Sequence, residues 1–209
     1  MTKRLQEILH LLDKYYKEET KCHLDYTTPH ELLVATILSA QCTDARVNIV
    51  TKSLFKKYST ISEFAHADLE ELEQDVRTTG FYRNKAKNII LTSQTLLNEY
   101  GGELPSDINQ LTKLAGVGRK TANVIRGHIF CIPSIVVDTH VKRISKKLAI
   151  VESSDPEKIE FELMKKLPKN HWIKYNTQVI VHGRTICKAR TPECNKCFLG
   201  HVCPSFGVT

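Results

Sequence analysis

Three groups of residues in this 209-residue chain have the types and spacing to do chemistry. Lys120 follows a Gly116-Val117-Gly118 turn, just inside a predicted helix that opens at about Arg119. Asp138 closes the apolar run Ile135-Val136-Val137 and opens another predicted helix. Cys187, Cys194, Cys197 and Cys203 fall within the last 23 residues in the order C-x6-C-x2-C-x5-C. A lysine can act as a nucleophile only after losing its proton, which costs roughly 4 to 5 kcal/mol at neutral pH from the ordinary lysine value. The positive end of a helix dipole disfavours an ammonium and supplies part of that cost. Desolvation must supply much of the rest. A nearby carboxylate works the other way, so Asp138 would accept the proton or steady a developing positive charge. Taken singly, each residue has a plainer use: a lysine there can hold a phosphate, and aspartate is a preferred N-cap.

The glycines narrow what the turn can be. Two glycines around one small apolar residue admit backbone conformations that side-chained residues resist. Such a turn directs successive N–H groups outward just ahead of a helix N-terminus, a ready site for a phosphate. A dinucleotide fingerprint needs a preceding strand and Gly or Ala at its sixth position. Here the lead-in is helical and that position is Thr121. A phosphate loop needs a longer glycine spacing, which is absent. A simple helix–helix turn stays open.

The cysteines ask for a metal. Disulfides belong to oxidising compartments, whereas the start MTKRLQEIL runs straight into an amphipathic helical pattern without a signal-peptide block. A cytoplasmic protein is expected. No apolar run approaches the roughly 18 residues of a membrane span. Four clustered thiolates fit either a four-cysteine zinc site or an iron–sulfur cluster; spacing alone does not choose. Cys22, Cys42 and Cys131 have no metal-like neighbours and read as packing residues, and His140 and His182 read as structural.

The elements that must position these groups are all helical. Leu5, Ile8, Leu9, Leu12 and Tyr15/Tyr16 recur at helical spacing over residues 3–19. Thr28-Pro29-His30-Glu31 combines a Thr N-cap, Pro at the first helical position and Glu three residues on. Thr60-Ile61-Ser62-Glu63 and Asp68-Leu69-Glu70-Glu71 repeat the signal. Gly80 is a stop, and a helix follows from Tyr82 to about Tyr100, closed by Gly101-Gly102. Helices are also expected at about 44–58, 139–149, 156–167 and 173–186, and no period-2 strand is visible. Charge is uneven. Residues 1–104 hold 13 Lys and Arg against 15 Asp and Glu, a net −2, whereas residues 105–209 hold 17 against 8, a net +9. That asymmetry suits a polyanion partner.

The string LTKLAGVGRKTANV, with VDTHV and the cysteine spacing, resembles the endonuclease III family of helix-hairpin-helix DNA glycosylases. The resemblance runs from Pro29 through Cys203 and is strongest over residues 111–141 and 187–203. It implies an all-α fold of two helical lobes with the active site in the cleft between them. One lobe would be residues 22–132, with the helix-hairpin-helix at about 108–127. The other would join residues 1–21 to 133–209 and carry a cluster loop at 187–203. It implies that Lys120 is the nucleophile at the sugar C1′, that Asp138 assists, and that a Schiff base leads to strand cutting by β-elimination. The partner would be double-stranded DNA bearing oxidised pyrimidines or abasic sites, and the protein a monomer. The four cysteines would hold a [4Fe–4S] cluster of structural purpose rather than zinc. Gly116, Val117 and Gly118 would hold phosphates through their amides, and Lys188, Arg190 and Lys196 would meet the backbone. Gln41, in SAQ, would fill the gap left by a flipped nucleotide, and Phe81, in TxGxY, would wedge the opposite strand. The family often has leucine at that wedge. Two other readings explain fewer residues. A non-catalytic cluster-bearing DNA-binding module leaves Lys120 and Asp138 without a purpose, and an adenine-mispair glycosylase relative would lack the lysine.

Overall fold

The computed structural model describes residues 1–17 and 22–207. Among the described residues the regular structure is entirely helical, and no helix is long and apolar enough to cross a membrane. Helix α1 (Lys3–Tyr15) is capped by the Thr2 side chain and buries Leu5, Ile8, Leu9 and Leu12 as one stripe. It ends earlier than its periodicity suggests. Tyr16 leaves helical geometry, and its hydroxyl reaches His182 Nδ1 at 3.0 Å; of the predicted continuation to residue 19, residues 18 and 19 lie outside the described residues.

Helix α2 (Pro29–Leu38) starts at the Thr28–Glu31 capping box, and every residue from Glu31 to Leu38 is buried. A helix apolar on all sides belongs inside a core, and α2 packs against α3 (Asp44–Lys57), α6 (Tyr82–Tyr100) and α8 (Arg119–His128). The short helices α4 (Ile61–Ala65) and α5 (Leu69–Val76) start where Thr60 and Asp68 cap them, and both lie along α6. A 3-10 turn, Arg77–Thr79, leads through Gly80 into α6. Helix α7 (Ile108–Leu111), capped by Asp107, and α8 flank the glycine turn. Residues Cys22–Ile132 form one compact unit whose core includes Leu32, Leu38, Phe64, Leu72, Ile89 and Ile125.

The other unit comprises Met1–Lys21 and Pro133–Thr209. It contains α1, α9 (Thr139–Lys147), α10 (Pro156–Lys166) and α11 (Trp172–Thr185). Helix α11 packs on both α9 and α1. Gly183 permits the first contact, since a Cβ there would collide with His140 Nδ1 and lie 3.0 Å from Ile144 Cδ1. Asp13 fastens the second: it accepts from Lys174 Nζ at 2.8 Å and Gln178 Nε2 at 3.0 Å, with His171 Nε2 also at 3.0 Å. Burial pushes the Asp13 carboxyl up, but these donors outweigh it and hold the group below its ordinary value.

Candidate nucleic-acid and nucleophile site

Within the unit of residues 22–132, the turn before α8 is anchored from below. Leu111, Leu114 and Val117 are buried at 0%, 3% and 5% exposure. Thr92 Oγ1 donates to Ala115 O at 2.8 Å, so α6 braces the turn from the side. Gly116 has φ +74, and a Cβ there would lie 2.9 Å from Asn88 Nδ2. Both the left-handed backbone and the close approach require glycine at that position. Gly118 is different. Its φ of −86 suits any residue, and nothing lies within 4 Å of where its Cβ would be. Its missing side chain leaves an open approach to the start of α8.

The expectation that all three turn amides are offered outward is corrected at Val117. Its side chain is buried and its N–H donates to Leu114 O at 3.1 Å, closing the turn on itself. Gly116 and Gly118 are both exposed. Most helices here begin with a Thr or Asp side chain bonded to a first-turn amide, but α8 begins at Gly118 and has no side-chain cap. The first-turn amides of a helix have no carbonyl ahead of them in the chain. An uncapped, exposed N-terminus suits an external anion.

Lys120 is the second residue of α8, and it is exposed. Asp138 is the N-cap of α9 in the other unit, half-buried, with Oδ1 accepting from Val141 N at 2.7 Å. Its Oδ2 has no partner among the described residues.

Two exposed tips in the unit of residues 22–132 share an unusual backbone. Gln41 has φ 53 and Phe81 has φ 49, both left-handed. Phe81 is 64% exposed, a large apolar ring standing in solvent. Left-handed conformations cost a non-glycine residue about 1 to 3 kcal/mol and persist where the surroundings over-determine them. What holds these two is not visible in the local sequence: Lys85, buried behind them, bonds the backbone that leads to both.

The cysteines gather as expected in the unit that ends the chain. All four line one hollow, whose walls include Ile144, Leu148, Ile186, Leu199 and Phe206. Burial pushes the thiols of Cys187 and Cys197 up, while the charges of Arg143 and Lys147 pull Cys187 down. Arg143 Nη2 also donates to Cys187 O at 2.6 Å, fixing the entry to the loop. His182 is buried, with Nε2 3.6 Å from Cys197 Sγ, and burial followed by the Arg143 charge brings its pKa to about 4. Its Nδ1 meets the Tyr16 hydroxyl at 3.0 Å, so both ring nitrogens are engaged within this unit. Four sulfur donors, apolar walls and nearby cations suit an anionic, thiolate-held group. Among the described residues no three His, Cys, Asp or Glu side chains converge closely enough for a single metal ion. Of the loop's basic residues, Lys188 and Lys196 pair with Glu193 at 2.6 and 2.8 Å. Those two lysines hold the Glu193 carboxyl at about 2. Arg190 is exposed and has no acidic partner among the described residues.

Among the described residues the chain is all-helical, and an uncapped helix that follows a glycine hairpin presents an exposed lysine. A family model described as HhH-GPD superfamily base excision DNA repair protein matches residues 34–169, and the chain belongs to that superfamily. Within it the chain is similar to the endonuclease III proteins. That of Synechocystis sp. is 49% identical over 203 residues, covering 97% of this chain and 92% of the relative. The solved structure of a non-covalent endonuclease III–DNA complex superposes with a TM-score of 0.92 at 45% identity, over 98% of this chain and 96% of that one. A trapped covalent endonuclease III–DNA intermediate, in an estranged-adenine complex, superposes with a TM-score of 0.91 at 45% identity, over 98% and 97%.

Proposed function

We propose that the chain is a bifunctional DNA glycosylase and abasic-site lyase of base excision repair, acting on oxidised or saturated pyrimidines in double-stranded DNA. The turn at Gly116 and Gly118 and the open start of α8 hold the phosphate backbone without reading sequence. The damaged nucleotide is turned out of the stack, and the tips at Gln41 and Phe81 occupy the space it leaves. The neutral amine of Lys120 attacks C1′, and the bond from C1′ to the base breaks, with the electron pair leaving on the base. Opening of the sugar ring gives an iminium between Lys120 Nζ and C1′. Loss of a proton from C2′ then expels the phosphate on the 3′ side, which cuts the strand, and water releases the lysine. Asp138 accepts a proton or balances the cationic sugar through Oδ2, the oxygen its helix does not use. Because Lys120 is exposed in the protein alone, much of the dehydration its activation needs must come from the DNA packed over it.

The observation that carries this reading is a solvent-facing amine on an uncapped first turn, fed by a hairpin that only glycine can close. A relative 45% identical to this chain that has been trapped as a covalent DNA intermediate supports it. Cys187, Cys194, Cys197 and Cys203 would hold a [4Fe–4S] cluster, which orders the 187–203 loop and takes no part in the chemistry at the sugar. Four cysteine thiols around one apolar hollow are the ligand set such a cluster takes.

The deciding experiment is borohydride trapping on a duplex with one oxidised pyrimidine. Wild-type protein should give a stable protein–DNA adduct and a strand cut, and Lys120→Gln should give neither while still retarding the duplex. An adduct that persists in Lys120→Gln means another amine is the nucleophile. A wild-type protein that shifts abasic duplex and leaves it uncut is a binding module.

A further inference from the structure

Lys85 is the one buried lysine among the described residues, at 4% exposure. A buried ammonium is expensive unless it is fully paired, and burial pulls its pKa down. No carboxylate lies against it among the described residues. Nζ instead donates to two backbone carbonyls, Leu38 O and Thr79 O, each at 2.8 Å. These carbonyls are 41 residues apart in sequence and have one thing in common. Leu38 is the last residue of α2, three positions before Gln41. Thr79 is the last residue of the 3-10 turn, two positions before Phe81. Both carbonyls belong to helix ends, where the helix itself leaves the oxygen without a partner and where a cation is favoured. Beyond each bond the chain turns left-handed, at Gln41 (φ 53), and at Gly80 and Phe81 (φ 72 and 49).

We infer that Lys85 is a positioning residue for DNA insertion: one ammonium clamps the bases of the two exposed tips and sets the spacing between Gln41 and Phe81. This rests on the reading above that both tips enter the duplex. The clamp lets two short loops act as one rigid pincer. An apolar side chain at position 85 would leave two buried carbonyls unsatisfied, and the loops would relax toward solvent to hydrate them. The tips would still be present but no longer held at a fixed separation.

The experiment uses the full-length protein with a duplex carrying one tetrahydrofuran abasic analogue opposite 2-aminopurine, whose fluorescence rises when it is unstacked. Four proteins are compared: wild type, Lys85→Met, Gln41→Ala/Phe81→Ala, and the triple variant. Lys85→Met should reduce the fluorescence rise, and reduce single-turnover cutting of a damaged duplex by about tenfold or more, the scale of one lost charged hydrogen bond. Its affinity for undamaged duplex should stay within about twofold, because phosphate contacts set that affinity. In the Gln41→Ala/Phe81→Ala background the same change should cost less than about twofold, since the residues it acts through are gone. An equal loss in both backgrounds would show that Lys85 supports only the fold and would overturn the proposal. A Gln41→Ala/Phe81→Ala protein that unstacks 2-aminopurine as well as wild type would instead sink the reading of the tips, and the clamp with it. If Lys85→Met does not fold, Lys85→Gln serves the same comparison, since its amide keeps a donor for one carbonyl.

Discussion

The carboxylate of Asp138 has two oxygens, and α9 uses one of them: Oδ1 holds the Val141 amide at 2.7 Å. Capping and assistance to Lys120 can therefore be separated by substitution. Asparagine caps about as well as aspartate, so Asp138→Asn should keep stability within about 0.5 kcal/mol, whereas Asp138→Ala should lose about 1 kcal/mol. Both should lose glycosylase activity by a similar large factor. Denaturant unfolding and single-turnover cutting decide it; an active Asp138→Asn would make the residue a cap and nothing more. At this scale Lys120, Asp138 and the four cysteines could be singled out from sequence because a string of neighbours carried each of them, and the structure gathers the four cysteines around one hollow. Lys85 had no such string. Its partners lie 47 and 6 positions away, and a lysine between Asn84 and Ala86 on a helix reads as a solvated charge until burial is known. The basic residues of the cysteine loop differ in a way the sequence does not show: Glu193 pairs with Lys188 and Lys196, and Arg190 has no acidic partner among the described residues.

The hairpin is the element on which the proposed phosphate binding turns, and its two glycines have different duties. Gly116 is needed by the fold, for its φ of +74 and for Asn88 beside it. Gly118 has ordinary φ and open space where a Cβ would go. Gly116→Ala should therefore destabilise the protein by about 1 to 3 kcal/mol through backbone strain. Gly118→Ala should leave stability within about 0.5 kcal/mol and still weaken duplex binding, because its methyl stands where a phosphate approaches. Thermal unfolding and gel retardation, run on both variants, check the pair; a Gly118→Ala protein that binds normally would move the phosphate site elsewhere. Helix starts were the most legible elements. Thr28, Thr60, Asp68 and Asp138 each cap the helix their position suggested. What local pattern could not separate was the conformational glycine from the one kept for space, because both are glycines in one tripeptide.

Across the whole molecule, the described residues form two apolar cores, each in its own unit. All four cysteines line a hollow in only one of them. Oxidative removal of the cluster they are proposed to hold should strip amide-exchange protection from about residues 186–207 and leave α2 to α8 protected. Equal loss in α2 to α8 would contradict it. The all-helical class was readable from periodicity, yet nothing within residues 3–15 says which half of the chain they join; that follows from α1 meeting α11. This one contact bears on how the protein is made. Helix α1 leaves the ribosome well before the partner that covers Leu5, Ile8, Leu9 and Leu12, which begins at Trp172. At roughly 5 to 20 residues per second, about 8 to 30 seconds of translation separate the two. Throughout that interval residues 22–132 have time to collapse on themselves, and nascent α1 carries a bare greasy stripe that is a natural target for a holding chaperone.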